Sequence, residues 1–146
     1  MVNQDLIKLN TDSKLTELTR LVTQEQINAY AEASGDYNPL HIDPEFAAGT
    51  ELGGTVAHGM LILAYLSEFM TENFGVHWIK SGSLSARFKG AAYPGDAILV
   101  SGKVTSVEYE DEFILVECDV LCSNQKEEPV ITCITKLRGK NNENIG

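Results

Sequence analysis

Residues 56–74, VAHGMLILAYLSEFMTENF, are apolar nearly all the way round a helical wheel until Glu68. A helix without a polar face has to be enclosed, either by lipid or by its own domain. Its longest uninterrupted apolar run, Met60 to Leu66, is far shorter than the roughly 20 residues that span a bilayer. The enclosure therefore has to come from the rest of the chain, and membrane insertion is not expected. A chain of 146 residues has room for one domain with a real core, and 43% hydrophobic and 22% charged residues match ordinary globular usage. There is no internal repeat, low-complexity tract or linker, so we read 1–146 as a single domain with residues 140–146 as a loose polar tail.

The enclosing material is mostly strand. Lys14 to Val22 carries Leu15, Leu18 and Leu21 as apolar points and predicts a short first strand. Ser83 to Lys89, Ala97 to Tyr109, Glu112 to Ser123 and Val130 to Arg138 are further strand candidates, the last three long and joined by short turns, hence antiparallel. Between the first strand and the buried helix, Thr23 and Gln26 form a T-x-x-Q capping box, Ile27, Tyr30, Ala31 and Ser34 follow at helical spacing, and Gly35 supplies the stop. Asp36 to Pro44, DYNPLHIDP, reads as a loop whose Asp43 caps a short helix begun by Pro44. One buried helix followed by consecutive antiparallel strands is an α+β layout in which the sheet wraps the helix, the arrangement called the hot-dog fold. Such a sheet has edges, and pairing across a two-fold axis protects an edge, so a homodimer is expected.

Charge narrows the partners. Eleven basic residues against 21 acidic ones give a net charge of −10, the wrong sign for gripping nucleic acid by its phosphates. A polyanionic ligand would need a local basic patch inside this negative field. Cys118, Cys122 and Cys133 are odd in number and lack CxxC spacing, which suits neither a disulfide framework nor a zinc site; they read as reduced core thiols. The first residues, MVNQDLIKLNTDSK, have no basic segment followed by an apolar one, and a cytoplasmic protein is the expectation.

The densest group of reactive side chains is Asp36, Asn38, His41 and Asp43, in the loop after the first helix. Asp, Asn and Pro are also turn builders, so the group reads equally as a solvated loop. A His five residues after an Asp supplies the parts of an acid/base dyad, because a carboxylate can orient an imidazole and share its proton traffic. Asp36, His41 and Asp43, with His58 or His77 added, are also conceivable metal ligands, but no recognised ligand spacing such as HExxH is present and no metal is assigned. His58-Gly59-Met60 opens the buried helix, where a Gly lets a ligand approach backbone N–H groups that favour a developing oxyanion. The same Gly59 also permits close packing, and His58 also suits a cap. Ser67 is a lone hydroxyl in the apolar helix, most simply bonded back to the Leu63 carbonyl. GxSxG, P-loop and GxGxxG motifs are absent, which removes serine hydrolase, nucleotidase and dinucleotide-binding readings.

The stretch AEASGDYNPLHIDPEFA, from Ala31 to Ala47, resembles the hydratase motif of MaoC-like proteins, the (R)-specific enoyl-CoA hydratases. Val56-Ala57-His58-Gly59-Met60-Leu61 resembles that family's start of the central helix, and Arg87-Phe88-Lys89 with Tyr93-Pro94-Gly95-Asp96 its following strand and turn. The likeness covers roughly residues 21–107. It implies that Asp36 and His41 are catalytic, that Asn38 steadies their loop, that the Gly59 amide is an oxyanion donor and that Ser67 lies near the active site. It also implies reversible syn addition of water to a trans-2-enoyl thioester, with no cofactor. The substrate would be an acyl-CoA ester, and Lys80, Arg87 and Lys89 are the candidates for the basic patch its phosphates require. A hot-dog acyl-CoA thioesterase, a dehydratase acting on acyl-carrier-protein substrates, and a non-catalytic subunit that binds acyl thioesters are the alternatives. Which of Asp36 and His41 is acid and which is base stays open at this level.

Overall fold

The computed structural model describes residues 4–140. The residues enclosing the central helix form one five-stranded antiparallel sheet: β1 (Leu18–Leu21), β2 (Ser83–Phe88), β3 (Ala97–Glu110), β4 (Phe113–Ser123) and β5 (Pro129–Lys140), in the spatial order β1-β3-β4-β5-β2. Five α-helices and a short 3-10 helix (Leu6–Lys8) accompany it among the described residues: α1 (Gln24–Ser34), α2 (Pro39–Ile42), α3 (Pro44–Ala48), α4 (Gly59–Phe74) and α5 (Val76–Ser81). Lys140 ends β5, and the remainder of the segment read as a tail lies outside the described residues. The sheet wrapped on one long helix is the α+β hot-dog layout expected from the pattern.

The core sits between α4 and the inward rows of the three long strands. Ile62, Leu66, Phe69 and Met70 on α4 are essentially fully buried, and so are Ile98, Val100 and Val104 of β3, Ile114, Cys118 and Cys122 of β4, and Ile131 of β5. The alternation along each strand is the period-two signature of a sheet with one face on a core. Even the polar Thr135 in this layer is committed, its hydroxyl reaching the Met70 sulfur at 3.7 Å.

Three elements depart from their sequence reading, two because a distant side chain intervenes and one because of a local cap. The first strand is Leu18–Leu21 rather than Lys14 to Val22. Fully buried Asn73 on α4 accepts from the Thr16 amide (2.9 Å) and donates to the Thr16 carbonyl (3.0 Å), which takes Thr16 out of a ladder with β3. Lys14 keeps an isolated bridge to Lys103. In α1, Thr23 caps the Gln26 amide at 3.1 Å as the box requires, but the Gln26 side chain accepts from the Tyr65 hydroxyl of α4. The box is thus half made and the helix is pinned to the core. The loop 36–44 contains a single helical turn, α2, which Asn38 caps by accepting from the Leu40 amide at 3.0 Å. Asp43 caps α3 as expected, accepting from the Glu45 and Phe46 amides.

The central helix begins at Gly59 rather than Val56. Residues 56–58 lie outside the helix, with His58 at φ −57° and ψ 136°: the Val56 amide donates to Leu40 (3.1 Å), and the Ala57 amide donates to Ala92 (2.8 Å). At its other end Gly75, at φ 54°, turns the chain into α5, a short helix the sequence reading left unassigned.

All three cysteines are free and buried. Burial in the apolar core pushes the Cys118 and Cys122 thiols up to about 12, and raises Cys133 in the same direction. A thiol shifted upward carries almost no thiolate near neutrality, and the thiolate is the reactive form. We expect the native protein to resist iodoacetamide at pH 8 and to label at all three positions once unfolded in guanidinium; mass spectrometry showing rapid native labelling of Cys118 or Cys122 would contradict this packing.

Candidate active site

The segment 56–58 lies beside the loop that carries the reactive group. The His41 Nδ1 lies 2.8 Å from the Val56 carbonyl oxygen. A carbonyl only accepts, so Nδ1 carries the hydrogen and Nε2 is left with its lone pair. That Nε2 faces the Asp36 carboxylate at 4.0 Å. The His41 side chain is 14% exposed and that of Asp36 is 53% exposed, so the pair opens to solvent from the carboxylate side.

Each partner is fixed from behind. The Asp36 carboxylate accepts from the Asn38 amide (3.2 Å), the Asp36 amide donates to the Ser34 hydroxyl (3.2 Å), and the Asp36 carbonyl lies 3.0 Å from His58 Nε2. By the same carbonyl argument His58 is the Nε2–H tautomer. Its ring stacks on His41, centroids 3.8 Å apart at 27°, and tilts against Tyr30 at 4.7 Å. Gln24 donates to the His41 carbonyl (2.8 Å) and to Asn28, and accepts from the Thr55 hydroxyl (2.7 Å), clasping α2 to α1 and to the segment before α4.

Asp36, His41 and His58 offer ligand atoms within 4.8 Å of one another, so they are the natural place to look for a metal. Imidazole lone pairs lie in the ring plane, and two stacked rings aim theirs along near-parallel lines instead of at one point. The group is better arranged to handle protons than to chelate a cation. Asp43 is occupied with capping α3, and His77 is on α5, beyond the far end of α4.

Gly59 opens α4 with no side-chain cap; the Leu61 amide already donates to the His58 carbonyl at 3.0 Å, which leaves the Gly59 and Met60 amides as the helix-start donors without an intrahelical acceptor. A Cβ at Gly59 would sit 2.8 Å from the Phe88 ring, and glycine is what lets that ring lie over the helix start. Ser67 is eight residues further along α4, roughly 12 Å at the helical rise. Its hydroxyl accepts from the Trp78 indole at 3.5 Å. The structure thus joins Asp36, Asn38 and His41 at the start of α4 and leaves Ser67 two turns away. The basic residues divide as well. Arg87 and Lys89 flank Phe88 at the end of β2 near Gly59, on the strand face opposite the Phe88 ring, whereas Lys80 on α5 lies before the other end of that strand.

The Val56 carbonyl and the Gln24 clasp were missed in the sequence because neither belongs to a local motif. His58 was noticed as a cap and as a conceivable metal ligand, not as a partner of His41; its spacing from His41 carries no periodic signal that would pair the two rings.

Known proteins resemble this chain in sequence and in fold. The MaoC like domain family matches residues 8–125. The chain belongs to that family. It is 32% identical over 114 residues to the mitochondrial 3-hydroxyacyl-[acyl-carrier-protein] dehydratase of Arabidopsis thaliana, covering 77% of this chain and 67% of that protein. It is 35% identical over 83 residues to the (R)-specific enoyl-CoA hydratase of Aeromonas caviae, covering 56% of this chain and 61% of that protein. The matches span about 60% to 67% of the length of these curated relatives. An unliganded (R)-hydratase structure from Pseudomonas aeruginosa superposes with a TM-score of 0.79 at 22% identity, over 97% of this chain and 94% of that one, which supports the fold. No helix among the described residues is long and apolar enough to cross a membrane.

The two tautomers are open to direct observation. Long-range ¹⁵N–¹H correlation spectra of the neutral protein are expected to show His41 protonated at Nδ1 and His58 at Nε2; the reverse pattern at either ring would contradict the hydrogen bonds to Val56 and Asp36.

Proposed function

We propose that the protein is a hydro-lyase that adds water reversibly and with (R) specificity to trans-2-enoyl-CoA, giving 3-hydroxyacyl-CoA, with Asp36 and His41 as its catalytic dyad. The observation that carries the reading is the pair of acceptors, the Asp36 carboxylate and the His41 Nε2 lone pair, 4.0 Å apart. That is the span one water bridges with its two O–H groups at ordinary hydrogen-bond lengths. A water held this way presents its oxygen lone pairs outward, toward C3 of an enoyl chain.

As the oxygen bonds to C3, the dyad takes one proton from the water, and it returns one proton to C2 on the same face. The pair ends as it began. Electron density released by C3 attack moves through C2 toward the thioester oxygen, and the Gly59 amide at the start of α4 is the donor positioned to meet that charge. One such donor is typically worth about 3 to 4 kcal/mol in the transition state. Exposed Tyr37, Met60 and Phe88, next to Asp36 and Gly59, supply apolar surface for the acyl chain.

Arg87 and Lys89 are the cations we assign to the CoA phosphates, since they lie at the β2 end nearest the site and meet the need for local positive charge in a chain of net charge −10. Lys80, on α5 before the opposite end of β2, lies away from this pair. We also propose a homodimer paired along β2, an edge strand whose Leu84 and Phe88 are exposed at 38% and 54%. The free buried thiols fit a reducing compartment such as the cytoplasm.

The test uses crotonyl-CoA, following enoyl-thioester absorbance in one cuvette and thiol release in another. We expect absorbance to fall without thiol, and Asp36→Asn and His41→Ala each to lower kcat by about 10²- to 10⁴-fold with folding intact. Thiol release would assign a thioesterase instead, and variants with near-normal turnover would remove the dyad.

A further inference from the structure

His58 is 2% exposed, yet its Nδ1 has no hydrogen-bond partner; among the described residues it is the one buried side-chain nitrogen or oxygen in that position. A buried polar atom left unpaired destabilises a fold, and a phenylalanine of similar shape would fill the same space without that cost. Stability alone therefore does not account for a histidine here. The rest of its ring does account for it. Nε2–H donates to the Asp36 main-chain carbonyl at 3.0 Å, and the ring face lies 3.8 Å from the face of His41.

We propose that His58 is a positioning residue that sets the spacing of the Asp36–His41 pair, holding the Asp36 backbone by its hydrogen bond and the His41 imidazole by stacking. The inference rests on the dyad reading above and adds to it the element that fixes the geometry. His58 is well placed for this work. It immediately precedes Gly59 on the most deeply buried helix of the molecule, so the same rigid turn carries the tether to Asp36, the face against His41 and the amide assigned to the thioester. Asp36 itself is exposed; its carboxylate accepts from the Asn38 amide and its own amide donates to the Ser34 hydroxyl, both local turn bonds. The bond from His58 is the one that ties the Asp36 backbone itself to the start of α4.

Two substitutions separate the tether from the packing. His58→Phe keeps a ring against His41 and removes the donor; His58→Gln loses the ring and keeps an N–H near the position of Nε2. We expect His58→Phe to melt at the same temperature as the parent protein or higher, because an unpaired buried nitrogen has been removed. Its kcat on crotonyl-CoA should fall at least about tenfold, since misplacing a reacting group by an ångström costs up to about 10²-fold. Its KM should stay within about twofold, the mark of an interaction that matters only in the transition state. His58→Gln should recover much of that loss. Hydrogen exchange of peptides spanning residues 36–42 gives a readout independent of turnover, expected to be faster in His58→Phe and close to the parent in His58→Gln.

Asp36→Asn, assayed in parallel, tells the two readings apart. If it is inactive while His58→Phe keeps full kcat and unchanged exchange, the positioning role is wrong and the dyad stands. If Asp36→Asn turns over normally, the dyad fails and the positioning role falls with it. A fall in melting temperature of His58→Phe that accompanies a rise in KM would make His58 an ordinary packing residue and overturn the proposal.

Discussion

The site depends on how three residues, Val56 to His58, find their hydrogen-bond partners. A segment outside helix and sheet cannot satisfy itself, and this one is buried against the start of α4, so its polar groups have to find partners elsewhere in the chain. The Val56 amide goes to Leu40, its carbonyl to the His41 ring, the Ala57 amide to Ala92 and the His58 ring to the Asp36 carbonyl. Those bonds draw α2 and the preceding loop onto the N-terminus of α4. They also explain why the helix starts at Gly59 while its apolar pattern runs on from Val56: the earlier residues have better partners elsewhere.

A fully apolar helix supplies the rigidity on which this arrangement rests. Burying α4 requires the sheet, and at the helix N-terminus a glycine admits the Phe88 ring of β2. Oriented amides at a helix start are worth most where they are held without reorganisation. The polar residues of the core serve the same end, with Asn73 tying the N-terminal segment to α4 and Thr135 bridging to Met70.

Much of this was legible in one sequence because it is encoded locally. The buried helix, the antiparallel strands, the Thr23 cap, the Gly35 stop at φ 78° and the Asp43 cap all follow from short-range patterns and appear in the structure. The family motif put Asp36 and His41 in one loop, and the structure sets them face to face. What the sequence concealed were long-range captures. Asn73 shortens β1, Tyr65 takes the side chain of Gln26 away from the capping box, and the Val56 carbonyl chooses the His41 tautomer. Each involves partners 15 to 57 residues apart, for which no periodicity exists. The basic candidates show the same limit from the other side: Lys80, Arg87 and Lys89 are close in sequence, but an extended strand separates the first from the other two.

The central claim is that one water is held between two acceptors and delivered to one face of the double bond. The most direct measurement is hydration of crotonyl-CoA in deuterium oxide, followed by NMR of the 3-hydroxybutyryl thioester. The account expects a single (R) configuration at C3 and a single deuterium at C2, added on the same face as the oxygen. A mixture of C2 diastereomers, an (S) product, or free acid in place of the thioester would contradict it.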